Sequence, residues 1–479
     1  MLALLSLLPC AVVVVAVLLL RTSGLVAALL ALAAALALWV AGVFAPWSAL
    51  ALPHAVEDGL LLTTLVGSVI VPGLLFVEIC RRAGSLDAVG RVIEAMELDA
   101  PRAAIVIVTG VGIMLESLTG FGVSLLVSVP LLLARFERGP TIALGLIGMS
   151  LMPWGALSVS ALLGAKLAGL PVEVLAERAL TTSGPIAAVL PLACLLFTPR
   201  PDARAVGFAM AAGLALVAGL AATSYAIGVE VAGVGGGLAV LALAGLIAPD
   251  RRRVARAVAA PSLALLGILI AGVVAQKLLV PVLAAAGFAP VAGTGRVGYA
   301  VLTSPGIALV AAACIGLVVW HRRIRRPDAP LVRLVATRTW RALLTIAIFL
   351  SMARLLVETG GIGALSALLA QAGEHTAVAL VAALGGVGAY VTGSAIPSAA
   401  LFMPSAAATG QSFGLVSLFA ALQHSAAGHI AMASLPIAAI LVAALPNRSA
   451  ADEREALRRG LQLAAVWLAM VIASGWIQL

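Results

Sequence analysis

Apolar runs of close to twenty residues, separated by short charged loops, recur from one end of the chain to the other. Such a run is long enough for a helix to cross the hydrocarbon core of a bilayer, and a helix satisfies its own backbone hydrogen bonds, as lipid requires. The pattern predicts an all-α polytopic membrane protein with about twelve spanning helices. They are expected near 2–20, 25–44, 60–79, 141–165, 182–198, 206–225, 232–248, 257–280, 300–320, 342–357, 413–445 and 460–478. Two further apolar regions, 103–136 and 376–410, are each interrupted near the middle by a polar, glycine-containing patch. Their halves, roughly 15 residues each, fall short of the roughly 20 that a crossing needs. Each is therefore read as a re-entrant hairpin, two half-helices with a polar tip inside the membrane.

Composition excludes a soluble domain: 63% of the 479 residues are hydrophobic, 10% are charged, and the mean hydropathy is +1.18. That much apolar surface cannot be buried in water. The net charge of +9 would suggest nucleic acid in a soluble chain. Here it follows the positive-inside pattern, so no nucleic-acid partner is expected. With the loop at 80–102 placed in the cytoplasm and each span alternating, 24 of the 29 Lys and Arg fall on the cytoplasmic side, among them Arg21, Arg81, Arg82, Arg251–Arg253, Arg322, Arg323, Arg325, Arg326, Arg338 and Arg341. Lys166, Arg178, Lys277 and Arg296 fall outside, and Arg354 lies within a span. Both termini are then periplasmic, in a bacterial inner membrane, and the first apolar run is read as a retained helix because no basic segment precedes it. Cys10, Cys80, Cys194 and Cys314 are far apart, so neither a disulfide frame nor a metal site is indicated. No cofactor motif is present, since Gly235–Gly237 lacks the GK[ST] of a phosphate loop.

The same alternation divides the chain into residues 1–57, N-terminal spans; 58–198, a first repeat with its hairpin; 199–339, connecting spans; and 340–479, a second repeat of opposite orientation. Gly110-Val111-Gly112 before Thr119-Gly120 is echoed by Gly386-Val387-Gly388 before Thr392-Gly393. Inverted repeats with broken helices near the midplane mark secondary transporters.

The chemistry concentrates at the two tips. The first carries Glu116, Ser117, Thr119, Gly120, Phe121, Gly122 and Ser124. An ionisable group inside an apolar run marks function by default, so Glu116 is assigned either to proton coupling or to organising the tip. The hydroxyls and the half-helix N-terminus behind the glycines suit an anion. The second tip carries Thr392, Gly393, Ser394 and Ser398, with Pro397 in the first turn of a half-helix. Arg354 is either a clamp for a substrate carboxylate or the partner of Glu358, four residues on. His424 and His429 lie in the helix after the second hairpin and do not share a face. His424 is a candidate for proton coupling, and His429 reads as structural.

The run LESLTGFGVSLLVSVPLLL (115–133) resembles the glycine-rich segment of the lactate permease family, and Arg91 to Arg102 resembles that family's basic interfacial helix. TGSAIPSAALF (392–402) resembles its TGS segment. Order, spacing and hydropathy agree from about residue 58 to the end. Glu116, Gly120, Phe121 and Gly122 match the first motif; Thr392, Gly393, Ser394, Leu401 and Phe402 match the second. The chain departs from the family in having Val123-Ser124 where Ala-Pro is usual, Ala395 where Asp is usual, Pro397, and Ala399 in place of Asn. It also has His424 and His429, with no Lys, at 422–436. The resemblance implies an organic-acid permease, typically proton-coupled and moving lactate or glycolate.

The expectation is a secondary transporter that binds a small monocarboxylate between the two tips and imports it with a proton. Sodium coupling, export of another organic anion, and a membrane subunit of an energy-transducing complex are the alternatives. Enzymatic activity is not expected, and a homodimer is compatible with the sequence.

Overall fold

The apolar runs form helices, and a few polar residues fix where these begin and end. In the computed structural model, which describes residues 5–44, 48–120, 122–320 and 330–479, the chain opens with α1 (Leu8–Leu19), α2 (Gly24–Val40), α3 (Ala51–Ala83) and α4 (Ser85–Ala95). Next come α5 (Ala100–Thr119), α6 (Val123–Leu133), α7 (Arg138–Gly148), α8 (Val159–Ala168) and α9 (Val172–Leu195). A middle stretch holds α10 (Ala203–Ala226), α11 (Ala232–Ile247), α12 (Arg251–Val258) and α13 (Ala264–Ala285). It ends in a two-stranded antiparallel ribbon, β1 (Val291–Gly293) and β2 (Gly298–Ala300), and in α14 (Gly306–Val319). The remainder is α15 (Leu331–Glu358), α16 (Gly361–Gln371), α17 (Glu374–Thr392), α18 (Ala395–Ser412), α19 (Val416–Ile430), α20 (Leu435–Ala443) and α21 (Ala450–Ile477). Asp99 accepts the Arg102 N–H to cap α5, with Pro101 in the first turn, and Ser449 and Asp452 cap α21 reciprocally.

Among the described residues, nine helices are long and apolar enough to cross a membrane, or ten if the bent pair α19–α20 is one span. The class is the all-α polytopic one that the pattern predicts. The count differs because three expected spans are short, two are broken, and the hairpin arms α5 and α17 are themselves long enough to cross. The apolar helices at the expected spans 2–20, 25–44 and 300–320 are shorter than a full crossing. The expected span 141–165 is broken: α7 stops at Gly148, and Met152–Trp154 and Ala156–Ser158 form 3-10 turns before α8. Pro153 and Gly155 explain the break, the first lacking a donor and the second a side chain. The expected span 413–445 also divides, at Ser434, where α19 and α20 are bent by 44°, with Pro436 in the first turn of α20.

Both expected hairpin regions turn at the predicted tips. α6 packs back on the π-helical middle of α5, and α18 packs on α17. Their arms depart from the expected halves of roughly 15 residues: α5 has 20 residues and α6 has 11, while α17 has 19 and α18 has 18. α5 and α17 are each long and apolar enough to cross a membrane alone. Elements α3 to α9 recur in the same order as α15 to α21: a long helix, a short one, a hairpin, a broken helix and a long helix.

α5 is almost wholly enclosed, packed by α6, α7 and α11, while α17, α19 and α21 pack on one another, and α19 and α21 also pack on α9. α3 and α15 run together on the flank, with α2 and α14 beside them. At one end of this flank the Asp58 carboxylate holds Arg354 at 2.9 Å and Arg296, from the ribbon turn, at 3.0 Å. Glu57 pairs with Arg296 as well, at 2.7 Å.

The tip glycines are fixed by geometry. Gly120 has φ +68°, and a Cβ there would lie 2.6 Å from that of Ala156. Gly84, at φ +79°, has open space around it. Gly120→Ala therefore combines strain with a clash, whereas Gly84→Ala carries strain alone. Unfolding in detergent micelles is expected to show Gly120→Ala less stable than Gly84→Ala by about 1–3 kcal/mol, and equal losses would contradict the close approach.

Candidate functional site

Four interruptions of helical structure converge on one cavity. Gly120 and Gly393 at the two tips, Gly155 and Ala156 at the α7–α8 break, and Pro436 and Ile437 at the α19–α20 break all line a space of about 610 Å³. This lies within the roughly 300–1,000 Å³ range of small-molecule sites. Each tip rests on the break that follows it: Gly120 against Ala156, and Gly393, at φ +78°, against Pro436. The two halves also cross over, since Gly122 packs against Ile440 of α20.

Glu116 is buried and lines the cavity. One carboxylate oxygen accepts the Gly122 N–H at 3.2 Å, and the other accepts the Ser124 hydroxyl at 2.9 Å. The side chain thus laces the tip together across its turn, as the tip-organising assignment requires. The hydroxyl of Ser124 is turned to Glu116 and the sulfur of Met149, and it does not line the cavity. Thr119 donates to the Leu115 carbonyl within its own helix. Ser117 is buried against Gly233 of α11, away from the cavity. Phe121 lies outside the described residues, as do Arg322, Arg323, Arg325 and Arg326.

Thr392, Gly393 and Ser394 all line the cavity. Thr392 donates to the Gly388 carbonyl at 2.7 Å, and Ser394 caps α18 by accepting the Ile396 N–H at 3.3 Å. Ser398 is buried behind the tip, donating to the Gly385 carbonyl and accepting from Gln423. Arg354 does not reach the cavity. It pairs with Asp58 and, at 3.5 Å, with Glu358, about 12 Å along α15 from Ile346, the nearest lining residue of that helix, at a rise near 1.5 Å per residue.

His424 and His429 also lie outside the cavity wall, yet both meet the α7–α8 break from α19. The Pro153 backbone is the hydrogen-bonding partner of His424, and His429 Nδ1 is 2.5 Å from the Ser150 carbonyl oxygen. A carbonyl only accepts, so Nδ1 carries the hydrogen. The expectation that the two do not share a face holds for an ideal helix, but the break extends far enough to meet both.

Three lining residues were not among the site candidates read from the sequence. Arg341 is the cation of the cavity wall and Glu116 its acid. No carboxylate partner of Arg341 occurs among the described residues; its guanidinium lies over Trp340, 5.1 Å from the ring centre. Ser160 of α8 is buried, lines the cavity, and its hydroxyl has no partner among the described residues. Thr345 completes the polar wall beside Ser23 at the start of α2. A second space of about 590 Å³, with Arg81, Arg82 and Arg338 in its wall, adjoins the first and shares Ile70, Ala342 and Ile440 with it. The cavity therefore leads toward the arginine-rich face. Gly and Pro inside the expected span 141–165 were the signal for the missed break; Arg341 had none, because it reads as one more topology charge.

The fold and its cavity define a multi-pass membrane protein with a mostly apolar pocket, carrying a few polar groups, built on broken helices. Residues 275–478 match the family model described as L-lactate permease, and this supports the chain's membership of the lactate permease family. The match suggests a transporter of lactate-like organic acids, with a small organic anion as substrate. The match takes in the second tip and Arg341 and leaves the first tip outside. No match was found among curated proteins.

The bond from His429 to Ser150 gives a structural prediction. His429→Ala leaves a buried carbonyl unpaired, at about 1–3 kcal/mol. His429→Asn, whose amide N–H stands where Nδ1 does, recovers part of this loss. Unfolding of both variants checks the pairing, and equal losses would contradict it.

Proposed function

We propose that the protein is a secondary transporter that moves a small monocarboxylate such as lactate or glycolate by proton-coupled symport. In this reading the acid sits in the cavity between the two tips, and residues 58–198 and 340–479 act as inverted repeats around it. The convergence of four helix interruptions on one pocket holding Glu116, Ser160 and Arg341 carries the proposal. Irregular backbone at membrane depth is tolerated where it is buried or lines a cavity, and transporters place their substrates at such points. Arg341 replaces Arg354 as the carboxylate-binding cation in this reading, since Arg354 is committed to Asp58 and Glu358. A charge-assisted hydrogen bond contributes about 1.5–3 kcal/mol, and the free Ser160 hydroxyl suits the hydroxyl of a 2-hydroxy acid.

The role of Glu116 follows from its partners. Both carboxylate oxygens accept hydrogen bonds, which favours the ionised form, while the apolar surroundings favour the neutral one. A proton that binds here loosens the lacing of the tip, which ties proton occupancy to the shape of the pocket. His424, buried against the α7–α8 break, is a second candidate for the same step.

Counterflow of labelled lactate and glycolate into proteoliposomes tests the proposal. Saturable exchange that a pH gradient drives is expected. Glu116→Gln should retain exchange and lose the driven part. Arg341→Ala should raise the half-saturation concentration by about 10-fold or more, and Arg354→Ala should lower thermal stability while leaving that concentration within about 2-fold. Exchange driven by a sodium gradient alone would instead favour the sodium-coupled reading.

A further inference from the structure

Glu230 is a carboxylate buried in the apolar part of the fold, and the pocket chemistry does not use it. It stands in the 3-10 turn Val229–Val231 that leads into α11, with 1% of its side chain exposed. Its counter-charge is Lys277, near the middle of α13, at 2.6 Å. Neither Glu230 oxygen has a further hydrogen-bond partner among the described residues, so the pairing with Lys277 is what makes its burial tolerable.

The backbone is shaped around this pair. Gly228 has φ +151°, and a Cβ added there would lie 2.6 Å from Glu230 Oε2 and 3.1 Å from Lys277 Nζ. The preceding residue of α13, Gln276, donates to the Leu302 and Ser304 carbonyls and ties α13 to the segment before α14. On the other side, the Val229 carbonyl accepts the Ser158 hydroxyl at 2.7 Å. Ser158 lies in the α7–α8 break, two residues beyond Ala156 in the cavity wall. The pair thus connects a flanking helix to the wall of the pocket.

The seam it spans is loosely packed. α11 rests on α5, and α13 rests on α14. Between α11 and α13 lies an apolar void of about 490 Å³, bordered by Leu238 and Leu241 on one side and Leu266 and Ile270 on the other. A smaller, more polar space of about 310 Å³ surrounds the ion pair itself, with Glu173 and Tyr225 in its wall. Two voids with one charge contact between them describe a surface along which helices can slide, since dense packing resists such motion.

We propose that Glu230 and Lys277 form a latch. It holds the helices that carry the pocket against α13 while the pocket faces the arginine-rich side, and it opens when the pocket turns to the other side. Separating a buried pair leaves an uncompensated charge. The polar space beside the pair can hydrate Glu230 as it releases, which makes the step accessible during a transport cycle. The inference rests on the transporter reading and adds to it a contact that must break.

The test reads pocket accessibility directly. Ser160→Cys, in a Cys314→Ser background, places a thiol in the pocket wall, the remaining cysteines being buried. A membrane-impermeant maleimide is applied to vesicles of each orientation. With the latch intact, labelling is expected from the arginine-rich face. Glu230→Gln, Lys277→Gln and Gly228→Ala should each raise labelling from the opposite face at least 3-fold, and Lys277→Arg should restore the original pattern. Thermal unfolding selects the variants that fold. Unchanged sidedness in folded Glu230→Gln and Lys277→Gln overturns the latch. Loss of counterflow in the unmodified protein overturns the transporter reading instead, so the two failures are separable.

Discussion

Every interrupted helix here must satisfy peptide groups that the regular ladder leaves free, in surroundings that offer little water. The chain meets that constraint by bringing its interruptions together. The tip at Gly120–Gly122 spends Glu116 and Ser124 on the turn. The break at Ser150–Ser158 is met by His429 from α19 and by the backbone around Val229. Trp467 of α21 adds its indole N–H to the Ser150 hydroxyl. Polar residues scattered through the sequence are thereby gathered at one depth. The pocket is the space left where four helix ends meet and cannot fill one another.

This arrangement separates two uses of charge. Glu116, His424 and His429 are occupied by backbone or tip partners, so they hold the walls. Arg341 and Ser160 face the cavity with no such engagement among the described residues. An ionisable residue in a membrane protein is informative by default, but its partners decide what it informs about. Arg354 and Arg341 lie on the same helix, and they differ because Asp58 and Glu358 reach one and no carboxylate among the described residues reaches the other. A spacing rule applied to sequence can find the Glu358 contact. It cannot find Asp58, which is 296 residues away.

The legibility of the fold follows the same division. Hydropathy located the helices because burial in lipid is decided residue by residue along a segment. It located both tips because a glycine-rich polar patch has no other place in an apolar run. It misjudged the arms: α5 continues apolar for 20 residues up to its tip, and a π-helical stretch at Val106–Gly112 keeps Gly110 and Gly112 within that helix. It passed over the α7–α8 break, although Pro153 and Gly155 stood in plain view, because the flanking hydropathy carried the window across them. Ser398 and Ser117 were expected at the pocket on the strength of their proximity to the tips, yet one bonds the neighbouring arm and the other lies against α11. Proximity in sequence gave the right tip and the wrong face.

Glycine is the means by which helix ends approach so closely. Gly120 touches Ala156, Gly393 touches Pro436, and Gly428 of α19 stands against Pro153. Each contact joins a segment of one element to an interruption in another, with no side chain between them to compress. Surfaces that meet through backbone in this way are dense and move as one body, whereas the seam between α11 and α13 meets through voids and a single ion pair. Stiffness around the pocket and looseness beside it are therefore both written in where the small residues lie. In the proposed transport cycle, the body that carries the substrate would keep its binding walls fixed while its outer surface slips. The distribution of close and open packing in this chain meets both requirements.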